Sequence, residues 1–148
     1  MNIVSFYRIA HQLHVCRVPL LPRIIYYLQF LLFNSVVPYQ CAIGKGTRCA
    51  YGGIGVVIHE RAVIGKNCII GQGVTIGGRS KIVKVPKIGN NVYLGAGCRI
   101  LGDVEIGDEV VIGANAVVTK NIPSRCVAAG VPARILKSGI KMEDYINP

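Results

Sequence analysis

Two stretches of the sequence decide the fold: residues 58–78 read IHERAVIGKNCIIGQGVTIGG, and residues 88–118 read IGNNVYLGAGCRILGDVEIGDEVVIGANAVV. In both, an aliphatic residue returns at every sixth position, and glycine usually follows it. An α-helix has a period of about 3.6 residues and a β-strand a period of about 2, so neither produces this spacing. The spacing indicates a six-residue repeat, in which short parallel strands stack into a solenoid. The aliphatic positions are Ile58, Ile64, Ile70, Ile76, Ile88, Leu94, Ile100, Ile106, Ile112 and Val118.

The repeat also sets the size of the solenoid. Six residues on each side and three sides per turn give about 18 residues per coil, and hence about four coils. The aliphatic residue points inward, and glycine allows the sharp corner. The spacing slips by three residues at Tyr51-Gly52-Gly53, which predicts a bulge or a short outward turn. The coils are expected at residues 43–58, 64–76, 88–100 and 106–118.

A segment between Gly78 and Pro86 lacks the glycine signature of the repeat. It reads RSKIVKV at residues 79–85 and takes up about two repeat lengths. We predict that it leaves the prism as an exposed basic loop, where function often lies on a rigid scaffold. The alternative is two degenerate repeats that continue the prism.

The N-terminal part of the chain has a different pattern. Apolar residues at three- and four-residue spacing predict helices at 3–16 and 22–34, separated by the break from Pro19 to Pro22. These helices are expected to cap one end of the prism. We therefore divide the chain into a helical cap (1–40), a β-helix domain (41–137) and a C-terminal tail (138–148).

Residues 24–37 carry no charge, but this segment is shorter than the roughly 20 apolar residues of a spanning helix. We expect an amphipathic helix packed on the protein, or one that lies on a membrane face beside Arg17 and Arg23. Arg8 and His11 interrupt the apolar run that a secretory signal needs. We therefore expect a cytoplasmic protein, with the inner face of the membrane as the alternative location.

The charge of the chain bears on its partners, and its cysteine content bears on metal binding and disulfides. The formal net charge of +10 favours a polyanionic partner, but charge alone does not choose among nucleic acid, anionic lipid, acidic polysaccharide and a phosphorylated cofactor. The six cysteines include no CxxC pair and no nearby histidine cluster. Cys68 and Cys98 take a slot that small aliphatic residues fill in other repeats, so we interpret them as reduced core residues and expect no metal.

Several motifs inside the repeat region resemble those of the serine acetyltransferase branch of the hexapeptide-repeat acyltransferases. The likeness runs over residues 41–137, and the C-terminal AAGVPAR segment is its most specific part. A six-residue repeat alone would be weaker evidence for this family, because carbonic anhydrases and the tails of nucleotidyltransferases have the same scaffold. The motifs are QGVTIGG at 72–78, PKIG at 86–89, GAG at 95–97, ILGD at 100–103, IGA at 112–114 and AAGVPAR at 128–134.

The resemblance implies a left-handed parallel β-helix that assembles as a homotrimer and binds acetyl-CoA between neighbouring prisms. Positions that match the family's pantetheine contacts are Gly78, Ala96 and Ala114, whose small size would let a thioester arm approach the backbone. The expected partners are an acceptor molecule and further copies of the chain, and not nucleic acid. The candidate cations for the phosphates of the nucleotide end are Lys120, Arg134 and Lys137.

Acetyl transfer to a hydroxyl needs a base that accepts the hydroxyl proton, and neutral histidine suits this role near neutral pH. His59 is the histidine inside the repeat, and it takes a corner position where other repeats place glycine. We therefore predict that His59 is the general base. A covalent route through Cys49 or Cys126 is the alternative. The acceptor-side candidates are Tyr51, Gly52, Glu60 and Lys84.

Departures from the family bear on the acceptor. The family's base histidine falls at Tyr51-Gly52 here, its second histidine at Val85, and Lys84 replaces an arginine. The opening YRIAH at 7–11 resembles short acetyltransferases of surface-polysaccharide synthesis. Together these features favour a sugar hydroxyl as the acceptor, with L-serine as the alternative. A non-catalytic trimeric scaffold and a zinc-dependent carbonic anhydrase are alternatives of other classes.

Overall fold

The computed structural model describes residues 2–146, which form two helices followed by fourteen short strands. The helices, α1 (Ile3–Val15) and α2 (Leu21–Phe33), agree with the sequence prediction to within one residue at each end. The strands are β1 (Ala42–Ile43), β2 (Arg48–Cys49), β3 (Val57–Ile58), β4 (Val63–Ile64), β5 (Ile69–Ile70), β6 (Thr75–Gly77), β7 (Lys87–Ile88), β8 (Tyr93–Leu94), β9 (Arg99–Leu101), β10 (Glu105–Ile106), β11 (Val111–Ile112), β12 (Val117–Val118), β13 (Cys126–Ala129) and β14 (Arg134–Ser138).

The strands form the three faces of a prism. Face 1 holds β1, β4, β7 and β10; face 2 holds β2, β5, β8, β11, β13 and β14; face 3 holds β3, β6, β9 and β12. Neighbouring strands are parallel throughout, except that β14 returns antiparallel along β13. The chain visits the faces in the order 1, 2, 3, and β1 to β12 complete the four coils that the repeat predicts. We name the three edges corner 1–2, corner 2–3 and corner 3–1.

The core is the column of aliphatic side chains that point into the prism. All ten repeat positions are at most 3% exposed. Cys68 and Cys98 are fully buried among them, and both are free thiols, which confirms their interpretation as core residues. Each coil is too thin to enclose its own side chains, so stacking of the coils creates the core.

The backbone approaches itself closely at two corners and leaves the third open. A Cβ atom on Gly44, at corner 1–2, would lie 2.6 Å from backbone atoms of Gly65. One on Gly95, at corner 2–3, would lie 2.6 Å from the amide nitrogen of Ala114. At corner 3–1 a Cβ on Gly77 would meet its nearest neighbour at 3.6 Å, an ordinary contact. Corner 3–1 therefore accepts side chains, and His59 lies there.

Helix α1 covers the open end of the first coil. The Tyr7 hydroxyl donates to the Cys41 carbonyl at 2.6 Å and accepts from the Ile43 amide at 3.2 Å. Burial raises the pKa of Tyr7 to about 12, so the phenol remains a donor. The Asn2 side chain donates to the Cys49 carbonyl at 2.7 Å. The helix thus satisfies peptide groups that have no coil above them.

The two irregular segments of the repeat follow the sequence prediction. The slip forms an irregular turn at Ala50–Gly53, in which Tyr51 has φ 49° and Gly53 has φ 96°. A Cβ on Gly53 would collide with Ile3 of α1, so the helical cap requires glycine here. Residues 79–85 leave the prism as an exposed loop, which excludes two further repeats. The Arg61 guanidinium holds this loop through the Val83 carbonyl at 2.7 Å.

Helix α2 packs against α1, and the buried side of α2 contains an unusual residue. Gln29 is fully buried, and within residues 2–146 neither its Oε1 nor its Nε2 has a hydrogen-bond partner. Neither helix is long and apolar enough to cross a bilayer, and no other helix within residues 2–146 is. An unpaired buried amide lowers the stability of the fold.

We expect Gln29→Met to raise the free energy of unfolding by about 1–3 kcal/mol, because it removes a buried polar group that forms no hydrogen bond. Urea denaturation at a fixed chain concentration, followed by circular dichroism, measures this change. Gln12→Met is the matched control, since Gln12 is exposed on α1 and should change little. A clear loss of stability in Gln29→Met would contradict the prediction.

Candidate active site

His59 lies at corner 3–1, directly after β3. Its amide donates to the Ile76 carbonyl of the next coil at 2.8 Å, which fixes the backbone at this corner. The side chain is half-buried. A Cβ on Gly78 would lie 3.8 Å from His59 Cδ2, so the imidazole borders the glycine-rich corner of the second coil. The structure therefore brings His59 and Gly78 together, two of the residues singled out from the sequence.

The hydrogen bond to the His59 ring determines what the ring can do. The Arg61 backbone N–H donates to His59 Nδ1 at 3.1 Å. Nδ1 must then carry a lone pair, so the proton of the neutral imidazole is on Nε2. In this tautomer the ring has no free lone pair for a hydroxyl proton. The predicted general-base role would need the ring to leave this bond, whereas the observed geometry presents Nε2–H as a donor.

The other acceptor-side candidates at corner 3–1 are exposed. Lys84 Nζ lies 3.2 Å from the Asp103 carboxylate, and both side chains are open to solvent. Such an exposed pair contributes little stability. Glu60 follows His59 and is exposed. In the described part of the chain, no carboxylate hydrogen-bonds to the His59 ring.

Corner 2–3 carries a column of small residues. Coils are joined there by the Asn115 amide, which donates to the Ala96 carbonyl at 2.8 Å, and by the Gly97 amide, which donates to the Gln72 carbonyl at 2.8 Å. Ala96 is half-buried and Ala114 is exposed. At the same corner of the first coil, Tyr51 stands 79% exposed. Small side chains therefore line this corner in the third and fourth coils.

The predicted acetyl-CoA contacts therefore lie on two different edges of the prism. Gly78 is at corner 3–1 with His59, whereas Ala96 and Ala114 are at corner 2–3. Face 3 separates these edges, and its surface includes Arg99, whose guanidinium donates to Thr75 Oγ1 at 2.6 Å. A single chain does not gather them into one pocket.

Two of the three predicted cations share a hollow at the C-terminal end. Lys120 and Arg134 line a hollow of about 330 Å³ below the last coil. The Ala133 amide donates to the Val117 carbonyl at 2.9 Å, which ties the AAGVPAR segment to face 3. Lys137 lies elsewhere, on β14 opposite Val127. A larger hollow of about 570 Å³ follows corner 1–2 and contains none of the predicted residues.

Sequence reasoning missed a hollow between α2 and the first coil. Tyr26, Tyr27 and Tyr39 line it together with Arg23 and Glu60, and its volume is about 310 Å³. We call it the tyrosine hollow. The Tyr26 and Tyr39 rings meet edge to face, with centroids 6.5 Å apart. The adjacent tyrosines were visible in the sequence, but only the packing of α2 brings them to Glu60, the neighbour of His59.

The cysteine route is not supported. Cys49 and Cys126 are both buried. Burial raises the pKa of the Cys49 thiol to about 12, so the reactive thiolate is scarce near neutral pH. Over residues 2–146, no group of three or more His, Cys, Asp or Glu side chains is placed to hold a metal ion.

Comparison with known families matches the repeat region. The family described as "Bacterial transferase hexapeptide (six repeats)" matches residues 86–120, and "Hexapeptide repeat of succinyl-transferase" matches residues 55–82. A serine acetyltransferase of Synechococcus elongatus is 39% identical over 140 residues, which cover 93% of this chain and 57% of that protein. The chain thus spans little more than half the length of this relative.

The solved structures that this chain resembles are also serine acetyltransferases. A serine acetyltransferase of Brucella abortus in complex with coenzyme A superposes with a TM-score of 0.86 at 32% identity, over 93% of this chain and 56% of that one. A soybean serine acetyltransferase complexed with serine gives a TM-score of 0.83 at 36% identity, over 90% and 56%. The prism is the left-handed parallel β-helix that the sequence predicted.

We expect one fast-reacting thiol per native chain. Cys16 is exposed, whereas the other five of the six cysteines are buried. Burial raises the pKa of Cys41 and Cys98 to about 12, so raising the pH from neutral to moderately alkaline should not add further fast thiols. Titration with a thiol-specific disulfide reagent counts them, and Cys16→Ser should abolish the fast phase. A second fast thiol in that variant would contradict the buried placement of the rest.

Proposed function

Because the chain belongs to the hexapeptide-repeat acyltransferases and is similar to serine acetyltransferases, we propose that it transfers an acetyl group from acetyl-CoA to a hydroxyl acceptor. The observation that carries this proposal is the likeness to serine acetyltransferases over at least nine-tenths of the chain. The exposed small-residue column at corner 2–3 supports it from the structure, since an extended thioester arm needs accessible peptide groups.

The donor would lie along corner 2–3. Ala96 and Ala114 leave room for the pantetheine arm, and backbone amide and carbonyl groups there can pair with its amides. The hollow with Lys120 and Arg134 lies at the C-terminal end of the prism, so its two cations can meet the phosphates of the nucleotide. The arm would then run towards the coils that carry Tyr51 and His59.

A three-fold assembly would complete the site. Corner 3–1 of one chain, with His59 and Gly78, must approach corner 2–3 of a neighbour, with Ala96 and Ala114, for both sets to contact one thioester. A closed ring of three identical prisms repeats this heterologous contact three times and leaves no copy unpaired. The division of the predicted residues between two corners supports the trimer that the resemblance implies.

In the transfer itself, the acceptor oxygen attacks the thioester carbonyl carbon and the carbon–sulfur bond breaks. The acceptor proton passes to water, and a proton from water converts the departing CoA sulfur to a thiol. We propose that His59 Nε2–H donates to the carbonyl oxygen as negative charge develops on it. This role uses the tautomer that the Arg61 amide stabilises, and it replaces the predicted general-base role of His59.

We propose L-serine as the first acceptor to test. The relatives in the comparison are serine acetyltransferases, and one of the solved structures contains serine. The sugar acceptor expected from the sequence, and with it a role in polysaccharide synthesis, has no support among these relatives. The replacement of the family's histidines by Tyr51 and Val85 is the observation that keeps a sugar as the second acceptor.

The wild-type chain should release CoA thiol from acetyl-CoA when L-serine is added. Ala114→Trp should weaken CoA binding at least about tenfold, because the indole fills the proposed path of the arm. Thiol release and calorimetry with CoA measure the two effects. Ala42→Trp is the matched control, since Ala42 is exposed on face 1.

Three outcomes would contradict parts of this proposal. Turnover with sugars or nucleotide sugars but not with serine would reverse the choice of acceptor. Equal CoA affinity in wild type and Ala114→Trp would remove the donor from corner 2–3. CoA binding without turnover on any acceptor would leave a non-catalytic binding protein.

A series of substitutions at His59 distinguishes a hydrogen-bond donor from a general base. His59→Ala should lower turnover at least about a hundredfold, the size of losing one oxyanion donor. His59→Gln should stay within about tenfold of wild type, because its amide nitrogen can replace the Nε2–H. Steady-state kinetics measure both, and exposed His14→Ala is the control. Equal loss in the Gln and Ala variants would indicate a general base instead.

A further inference from the structure

Helix α2 presents a large apolar surface to solvent. Leu31 is 77% exposed and Ile24 is 52% exposed, and together with Leu28 they form a stripe at helical spacing. A contiguous exposed apolar patch of this kind marks an interaction site. We call these exposed residues the α2 surface: Leu20, Leu21, Ile24, Tyr27, Leu28, Phe30, Leu31 and Leu32.

The part of the chain that contains the α2 surface has an excess of cations. No Asp or Glu occurs before Glu60, whereas five Arg or Lys residues do. This first part of the chain therefore supplies +5 of the formal net charge of +10. Arg23 lies within α2, and Arg17 is exposed in the turn that leads into it. The five cations are Arg8, Arg17, Arg23, Lys45 and Arg48.

The charge decides between the possible occupants of this surface. A second copy of the cap would bring its three arginines against three others, which opposes a tight contact. An anionic bilayer offers both an apolar interior for the leucines and negative headgroups for the arginines. Tyr27 and Tyr26 add aromatic side chains with a polar tip, which suit the boundary between headgroups and acyl chains.

We propose that α2 docks the protein on the surface of an anionic lipid membrane. The helix lies on the surface rather than spanning the bilayer, because its other side packs on α1 and buries Pro22, Gln29 and Phe33. The apolar residues enter the outer part of the bilayer, and Arg17 and Arg23 remain at the headgroups.

This orientation has a consequence for the candidate active site, which rests on the proposed function. The tyrosine hollow lies between α2 and Glu60, next to His59. With α2 on the membrane, the first coil and its hollow stand close to the lipid surface. The transferase would then meet acceptors that are presented at that surface, as well as small soluble ones.

Vesicle sedimentation with the full chain tests the docking. Wild type should bind vesicles of equal parts phosphatidylcholine and phosphatidylglycerol, and bind phosphatidylcholine alone much more weakly. Leu31→Glu should lower the partition into the mixed vesicles at least about tenfold, through loss of apolar burial and added negative charge. Leu136→Glu is the matched control: it makes the same change at a site 63% exposed on β14, and should bind as wild type does.

Several results would overturn the proposal. The first is that wild type does not bind the anionic vesicles, and the second is that both glutamate variants weaken binding equally. The third is that wild type does not bind vesicles while Leu31→Glu forms a smaller assembly than wild type in light scattering. The last result would assign the α2 surface to a contact between copies. Circular dichroism checks that Leu31→Glu folds. If it does not fold, Arg17→Gln, which leaves the helix intact, takes its place and should also weaken vesicle binding. Acetyl-CoA turnover without vesicles is measured separately, so failure of the transferase assignment leaves the docking result readable.

Discussion

The hydrogen bonds between coils are the interaction on which the rest of this structure depends. Strands of two or three residues cannot persist alone, so each is held by its equivalents above and below. For these bonds to form at every level, the backbone must stack in register around two tight corners. Gly44 and Gly95 show why those corners require glycine, since a Cβ atom at either position would overlap the next coil. Corner 3–1 is free of this constraint, and it is where a histidine, a long loop and several polar side chains are found.

The arrangement of the coils was predictable from the sequence because each repeat position has the same environment. An inward aliphatic residue and a corner glycine are local requirements, and their period gives the number of coils and the exits at Tyr51 and after Gly78. The corner at which each residue lies was harder to predict from the sequence. Gly78 and Ala96 both read as small residues beside a repeat position, yet they lie on different edges of face 3. Under the proposed function, that difference is the reason for placing the site between two neighbouring chains.

Side-chain chemistry was the least predictable part. The sequence singles out His59, but its tautomer depends on the Arg61 amide two residues later, and a hydrogen bond of this kind leaves no pattern in the sequence. The tyrosine hollow likewise depends on how α2 packs. At Gln29 the sequence pattern indicates the wrong environment. A polar residue in an apolar helix suggests an exposed position, whereas the structure buries it. For the hollow and for Gln29, packing between different elements decided the outcome, whereas for His59 the local backbone conformation decided it.

The role proposed for His59 bears on the position that Tyr51 takes. In the relatives that the sequence resembles, the base histidine falls at the position of Tyr51, on corner 2–3. In the proposed trimer, corner 2–3 of one chain would approach corner 3–1 of the next, and a phenol rather than a second imidazole would lie near the thioester. A neutral phenol has no basic nitrogen lone pair, so it accepts a proton far less readily than a neutral imidazole does. The site would then rely on hydrogen-bond donors that stabilise the developing oxyanion, and His59, with Nδ1 occupied and Nε2 protonated, is suited to that form of catalysis.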